Sequence, residues 1–285
     1  MHRIIKLSKK YQTKFFRKLI LIRGSVLKNQ INAYWFNKVP NFGDQLAPAL
    51  LCYYGFTPIH SSKANATIVS LGSILDNLPL EYSGLILGAG FKNDIERKFP
   101  CANILAVRGE LTRDRLGLSE KAILGDPGLL ADRLLSRRQK KHYKVGIVPH
   151  FFDKDNEIIK MIKTNNYTTI NIIDVQKRPK EVIKEIDRCE YVLSSSLHGM
   201  IVADSLGIPN AWLVLSDKVQ GRGFKFYDYF SSFKESYDPV FLTGKEEISD
   251  LICYTHLPSE KLFDVKDKLS FLYKQLKHIL TNKEF

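Results

Sequence analysis

The sequence predicts an α/β protein made of two Rossmann-like halves, with parallel sheets facing a central cleft. Three observations carry this. From residue 31 onward, short β-rich runs alternate with helical runs. The alternation breaks once, at the polar, basic stretch "SRRQKKHY", and then restarts. The chain has 285 residues, 44% of them hydrophobic, enough for one large core or two modest ones. Apolar strands alternating with helices imply parallel sheets covered on both faces.

Residues 1–30 stand apart. They carry Arg3, Lys6, Lys9, Lys10, Lys14, Arg17, Lys18, Arg23 and Lys28 and no Asp or Glu, with Phe15, Phe16, Leu19, Ile20 and Ile22 at roughly helical spacing. This fits a basic amphipathic helix on an anionic membrane surface, or equally a helix that packs on the body and solvates its lysines.

In the first half, 31–138, "INAYWF" is strand-like and leads into "NKVPNFGDQ". "LAPALLCYYG" reads as a helix closed by Gly55. "ATIVSLG", "GLILGAG" and "NILAVRG" are strands, "ELTRDRLG" a helix, "AILGD" a strand, and "PGLLADRLL" a helix with proline near its start. "SRRQKKHY" lacks apolar periodicity and reads as the interdomain linker. The second half, 139–245, runs "KVGIVP" strand, "DNEIIKMIK" helix, "YTTINII" strand, "PKEVIKEIDRC" helix, "EYVLSS" strand, "GMIVADSLG" helix and "AWLVL" strand. Within 246–285 the tail has helical periodicity and should pack back on the body. No internal sequence repeat is visible.

The net charge is +13, which points to anionic partners: nucleic acid, anionic membrane, or phosphorylated or carboxylated small molecules. No recognition motif supports nucleic acid. Cys52, Cys101, Cys189 and Cys253 form no CxxC pair, which argues against a zinc site or disulfide framework and fits a reducing compartment. No apolar stretch is long enough to span a bilayer, and the N-terminus does not read as a secretory signal. A cytoplasmic protein, peripheral at the inner face of the plasma membrane, is the expectation. GxSxG and the P-loop pattern are absent, and "GAGFKN" lacks the third glycine of a dinucleotide fingerprint. His150 and His198 have no partner at metal-ligand spacing.

In such folds ligands bind beyond the carboxyl ends of the strands, so the loops there hold the candidate residues. "EYVLSS" delivers Ser194, Ser195 and Ser196 to its end, and His198 and Gly199 then open a helix. Helix N-termini carry free donors and partial positive charge, so an anion site can form there. A bound anion would raise the imidazole pKa and make His198 a proton donor; a helix-capping histidine is the other reading. In "NFGDQL", Gly43 permits a tight turn, and Asp44 either caps a helix starting at Gln45 or, with Asn41, holds or deprotonates a substrate hydroxyl. Arg108 ends a strand and could clamp a carboxylate. Arg222 and Lys225 lie in "GRGFKFYDYF", read as a mobile anion-binding loop. His150 follows the first strand of the second half and could hydrogen-bond substrate; a plain loop histidine is the alternative.

Together, "NFGDQL", "AVRGELTRDRLG", "LGDPGLLAD" and "SSSLHGMIVADSLGIP" resemble the polysaccharide pyruvyltransferase family. "VGIVPHFFDKD" and "FKFYDYFSSF" resemble its succinoglycan-type branch. The resemblance covers roughly 31–235, with 1–30 outside. It implies a fold like the GT-B glycosyltransferases and transfer of pyruvate from phosphoenolpyruvate, the donor substrate, onto two sugar hydroxyls. The product is a cyclic ketal, phosphate is released, and no cofactor takes part. His198 would protonate the methylene carbon and Asp44 would serve as base. The implied acceptor is a polysaccharide or a lipid-linked oligosaccharide at the membrane face. The family's late motif often reads Ser-x-Arg-Leu-His, and here Ser196 holds the arginine position, so Arg108, Arg222 and Lys225 become candidate replacements. The rival readings are a GT-B glycosyltransferase using a nucleotide sugar and a non-catalytic module that binds anionic glycans or membranes.

Overall fold

The computed structural model describes residues 29–165 and 168–281. The amphipathic helix expected within 1–30 lies outside the described residues.

The first sheet contains β1 (Gln30–Tyr34), β2 (Thr57–His60), β3 (Ile68–Ser70), β4 (Leu85–Ala89) and β5 (Asn103–Val107), all parallel, in the order β2-β1-β3-β4-β5. The second contains β6 (Tyr143–Val148), β7 (Ile170–Ile172), β8 (Cys189–Ser194), β9 (Asn210–Val214) and β10 (Val240–Phe241), also parallel, in the order β10-β9-β8-β6-β7. Counted from its own first strand, each sheet has the order 2-1-3-4-5, a repeat of topology without a repeat of sequence. In both, the order reverses between the first and third strands. Flanking connections diverge there and leave a crevice beyond the strand ends, where doubly wound proteins bind ligands. The expected fold class, α/β with two parallel sheets, is what the structure has.

The helices are α1 (Phe42–Tyr53), α2 (Glu110–Leu116), α3 (Glu157–Asn165), α4 (Pro179–Asp187), α5 (Leu197–Ser205), α6 (Phe224–Ser231), α7 (Ile248–Cys253) and α8 (Leu262–Thr281). No described helix is long and apolar enough to cross a membrane. A 3₁₀ segment spans Pro127–Leu134.

Several expectations need correction. Asn41 caps α1, its side chain accepting from the Gly43 amide at 3.1 Å, so the helix starts at Phe42 and Asp44 is not the cap. The strand expected in "AILGD" reduces to one bridge, Leu124 with Val107. The helix expected after it is the 3₁₀ segment, capped by Asp126. The edge strand β2 escaped notice because Pro58 interrupts its pattern, which an edge tolerates. The stretch read as a mobile loop around Lys225 is α6, whose N-cap Gly223 is left-handed and shows none of the usual capping side chains.

One apolar cluster joins the halves: Phe42 and Leu46 of α1, Leu129 and Leu130, Met200 and Ile201 of α5, and Val265 and Leu269 of α8. Burying each such side chain contributes about 1.5–3 kcal/mol. A polar staple adds to it. Although α6 follows β9 in sequence, Asp228 accepts from Arg108 Nε at 2.8 Å and from the Thr112 amide and hydroxyl, both at 2.7 Å. The Glu110 amide donates to Ser231 Oγ at 2.8 Å. α6, and Lys225 with it, is therefore anchored on the first half. The basic stretch between the sheets is tied down too: Arg138 Nε and the Gln139 amide donate to buried Asp187.

Candidate active site

The two crevices open into one cavity of about 620 Å³ between the halves. From the first half, Asn41 and Asp44 on α1, Ser73 after β3, and Lys38, Lys63 and Lys92 line it. From the second come His150 after β6, Ser196, Leu197 and His198 at the start of α5, Gln220, and Lys225 in the first turn of α6. Among the described residues, four lysines face one carboxylate here. The lining carries an excess of positive charge.

His198 sits at the seam, only 8% exposed. Its Nε2 points toward Asp126 Oδ2 at 4.0 Å, and neither atom has a hydrogen-bond partner among the described residues. Asp126 is fully buried, its other oxygen accepting from the Gly128 amide at 2.8 Å. Burial pushes its carboxyl up to about 6, against the pull of the Gly128 amide and Arg108. Burial, then the Lys225 and Arg108 charges, push His198 down to about 3. The imidazole is neutral at physiological pH, with a carboxylate placed to fix its tautomer. Separations of this kind shorten when substrate fills a site. On the other side of the ring, a Cβ on Gly43 would lie 2.3 Å from His198 Nδ1 and 2.8 Å from its Cβ. Gly43 is glycine because the histidine occupies that space, and the contact joins α1 to α5 across the cleft.

Freed from capping, Asp44 lies on the cavity wall. Burial pushes its carboxyl up to about 7, opposed by Lys225 and Asn41. Much of it holds a proton at neutral pH. Burial and the Arg108 charge bring Lys225 down to about 8. His150 Nδ1 accepts from the Phe152 amide at 3.3 Å, and burial and Lys225 bring the ring to about 4.

The remaining candidates divide. Of the three serines, Ser196 lines the cavity as the N-cap of α5 without using its side chain to cap. Ser194 is fully buried and bonds the Val148 and Ser196 carbonyls. Ser195 accepts from the His150 amide at 2.8 Å and donates to Asp153 at 3.0 Å, which sets the His150 loop. Gly199 packs inside α5, where a Cβ would meet Ser194 Oγ at 2.3 Å and Val148 at 2.8 Å, so it serves packing and not a ligand. Arg108 is corrected most sharply. It is wholly buried, with Asp228, Ser73 and the Phe91 carbonyl on its three nitrogens, and it does not line the cavity. Arg222 is exposed and lines a neighbouring pocket instead. Of the three cations proposed to replace the absent arginine, Lys225 alone lines this cavity.

Lys38, Lys63, Lys92 and Asp126 were missed. Asp126 lies in "LGDPGLLAD", Lys92 in "GAGFKN" and Lys38 in "NKVPNFGDQ", stretches already singled out from the sequence, whereas Lys63 lies in none; the fold gathers them.

A model of the polysaccharide pyruvyl transferase family matches residues 3–217. The match reaches into the basic N-terminal stretch, which had been placed outside the resemblance, and ends short of residue 235. The succinoglycan biosynthesis protein ExoV of Rhizobium meliloti is 28% identical over 214 residues, 72% of this chain and 66% of that protein. The chain thus spans just under two thirds of that relative. The uncharacterized protein L143 of Acanthamoeba polyphaga mimivirus is 29% identical over 227 residues, 72% of this chain and 75% of that one. A solved structure of a functionally uncharacterized Klebsiella pneumoniae protein covers 79% of this chain and 97% of its own, at 16% identity and a TM-score of 0.38. With a family model spanning most of its length, this chain belongs to the polysaccharide pyruvyl transferase family.

Proposed function

We propose that the protein transfers pyruvate from phosphoenolpyruvate to two hydroxyls of a saccharide, forming a ketal and releasing phosphate, in polysaccharide biosynthesis. The observation that carries this reading is the cavity itself: four lysines around one protonatable carboxylate and a neutral histidine backed by Asp126. A donor with a phosphate and a carboxylate needs such cations. Two hydroxyls that must each lose a proton need a base.

The electrostatics exchange the roles that the sequence alone suggests. Asp44 holds the proton and His198 is free to accept one, and an anionic donor strengthens the hold of Asp44. Asp44 donates its proton to the methylene carbon, which becomes the methyl group, as a first sugar oxygen bonds to C2. His198 takes that hydroxyl's proton, with Asp126 steadying the imidazolium. The bond from C2 to the phosphate oxygen then breaks. The second hydroxyl attacks C2, and its proton ends on the departing phosphate or on the carboxylate of Asp44. Lys225 and Lys92 hold the donor's anionic groups, and the Ser196 hydroxyl adds a donor at the start of α5. A lipid-linked acceptor would bring residues 1–30 to an anionic membrane surface.

The test is incubation with phosphoenolpyruvate and a panel of synthetic and lipid-linked glycosides, following phosphate and product mass. Acceptor-dependent phosphate release with a product carrying one pyruvyl ketal is expected, and His198→Ala should slow it about 10²–10⁴-fold with the circular dichroism spectrum unchanged. Nucleotide release from a nucleotide sugar, with none of phosphate from phosphoenolpyruvate, would overturn the reading in favour of a glycosyltransferase.

A further inference from the structure

A second pocket of about 350 Å³ opens beside the first, beyond the end of β9. The two share Val219 and Gln220 as a common wall, and Lys92 of the first cavity donates to Gln220 Oε1 at 2.9 Å. Its character is different. Trp212 and Tyr227 meet edge to face at 5.1 Å, and Phe226 stacks on the indole at 4.4 Å, which fixes the indole in place. Phe241, 67% exposed on the edge strand β10, stands at the rim. Asp217, Gln220 and Arg222 supply the polar groups.

We propose that this pocket is a subsite for a second sugar ring of the acceptor, next to the ring that receives the ketal. The proposal rests on the ketal-transfer reading, because the reacting ring must lie against the donor in the first cavity. A pyranose has faces of C–H bonds and a rim of hydroxyls. The buried Trp212–Phe226 stack backs the wall, and the rings of Tyr227 and Phe241 carry negative charge on their faces, which suits the C–H hydrogens, while carboxylate, amide and guanidinium groups take the hydroxyls. The volume lies within the usual range of about 300–1,000 Å³ for small-molecule sites.

The backbone supplies an independent observation. Arg222 has φ 45°, between Gly221 at 96° and Gly223 at 83°. A bulky residue in the left-handed region is an outlier, and such strain collects where a side chain is being aimed. Neither glycine can be replaced to relieve it, because a Cβ on Gly221 would lie 2.2 Å from the Lys92 carbonyl and one on Gly223 would lie 2.5 Å from Trp212. The loop is pressed between the two pockets and holds the guanidinium at the mouth of the second.

The test presents the full-length protein, without donor, to an array of mono-, di- and trisaccharide glycosides. Retention should be stronger on di- and trisaccharides than on any monosaccharide. Arg222→Ala and Tyr227→Ala should each lower that retention by about tenfold or more. Arg222→Gly, whose backbone suits φ 45°, should lose binding equally with a melting temperature no lower than wild type, which separates lost recognition from lost folding. Retention independent of saccharide length, retention of no saccharide, or retention untouched by these variants overturns the subsite. Calorimetry of phosphoenolpyruvate binding on the same samples reports on the first cavity. Its failure would sink the ketal-transfer reading and leave the array to judge the second pocket.

Discussion

In the first half, the loop after β1 leads to Asn41 and Asp44 at the head of α1, and the loop after β3 carries Ser73. In the second half, the equivalent loop after β6 carries His150, and the one after β8 carries Ser196 and His198. The strands beneath have the same order. One half supplies lysines and a carboxyl raised to about 7; the other supplies the imidazoles. Lys225 blurs the division, because it lies within the second half in sequence yet sits on a helix stapled to the first. Neither crevice holds both the carboxyl and the imidazole, so the scaffold repeats while the titratable groups are divided between its copies.

The staple offers the strongest way to break that arrangement. Arg108→Met leaves Asp228 charged and buried without its partner, which should cost about 3–5 kcal/mol. Chemical denaturation would show it, and phosphoenolpyruvate affinity should fall as α6 and Lys225 loosen. Unchanged stability would mean that the Arg108–Asp228 pair does not hold α6 to the first half.

Where the halves touch, Gly43→Ala forces the imidazole of His198 to move. A misplacement of about 1 Å can cost on the order of 10²-fold, so kcat/KM should fall by that much while donor affinity stays near wild type. Full activity would remove His198 from the chemistry.

The smallest effect sharpens the titration contrast. Asp44 has its folded pKa raised to about 7 from 3.8. Below 3.8 both states hold the proton; as pH rises toward 7 the unfolded chain loses it first, so the folded state loses stability across that window. Asp44→Asn removes the loss and should raise the melting temperature at pH 8, with little or no gain at pH 4. Melting curves at the two pH values check this, and an equal gain at both would mean that Asp44 is not held protonated.

The sequence made the architecture legible because alternation is local. "GLILGAG" and "EYVLSS" read as buried parallel strands, and that marked their following loops. His198, Asp44, Asn41, His150 and Ser196 were reached this way, and all line the cavity; Lys225 lines it too, from a stretch that reads as a mobile loop. Arg108 was misread by the same rule: a strand end locates a side chain, but Asp228, 120 positions away, decides whether it is free.

By itself, then, the sequence determined the α/β class, the break between two runs of elements, the excess of positive charge and the loops in which chemistry could sit. Those follow from periodicity, composition and proximity along the chain. Tertiary structure decided the rest: that the sheets share a strand order, that Lys38, Lys63, Lys92 and Lys225 converge, that Asp126 stands behind His198, and that burial raises Asp44 to about 7 while lowering His198 to about 3. Protonation depends on burial and on charges brought close from distant parts of the chain, and neither is written in any one stretch of it.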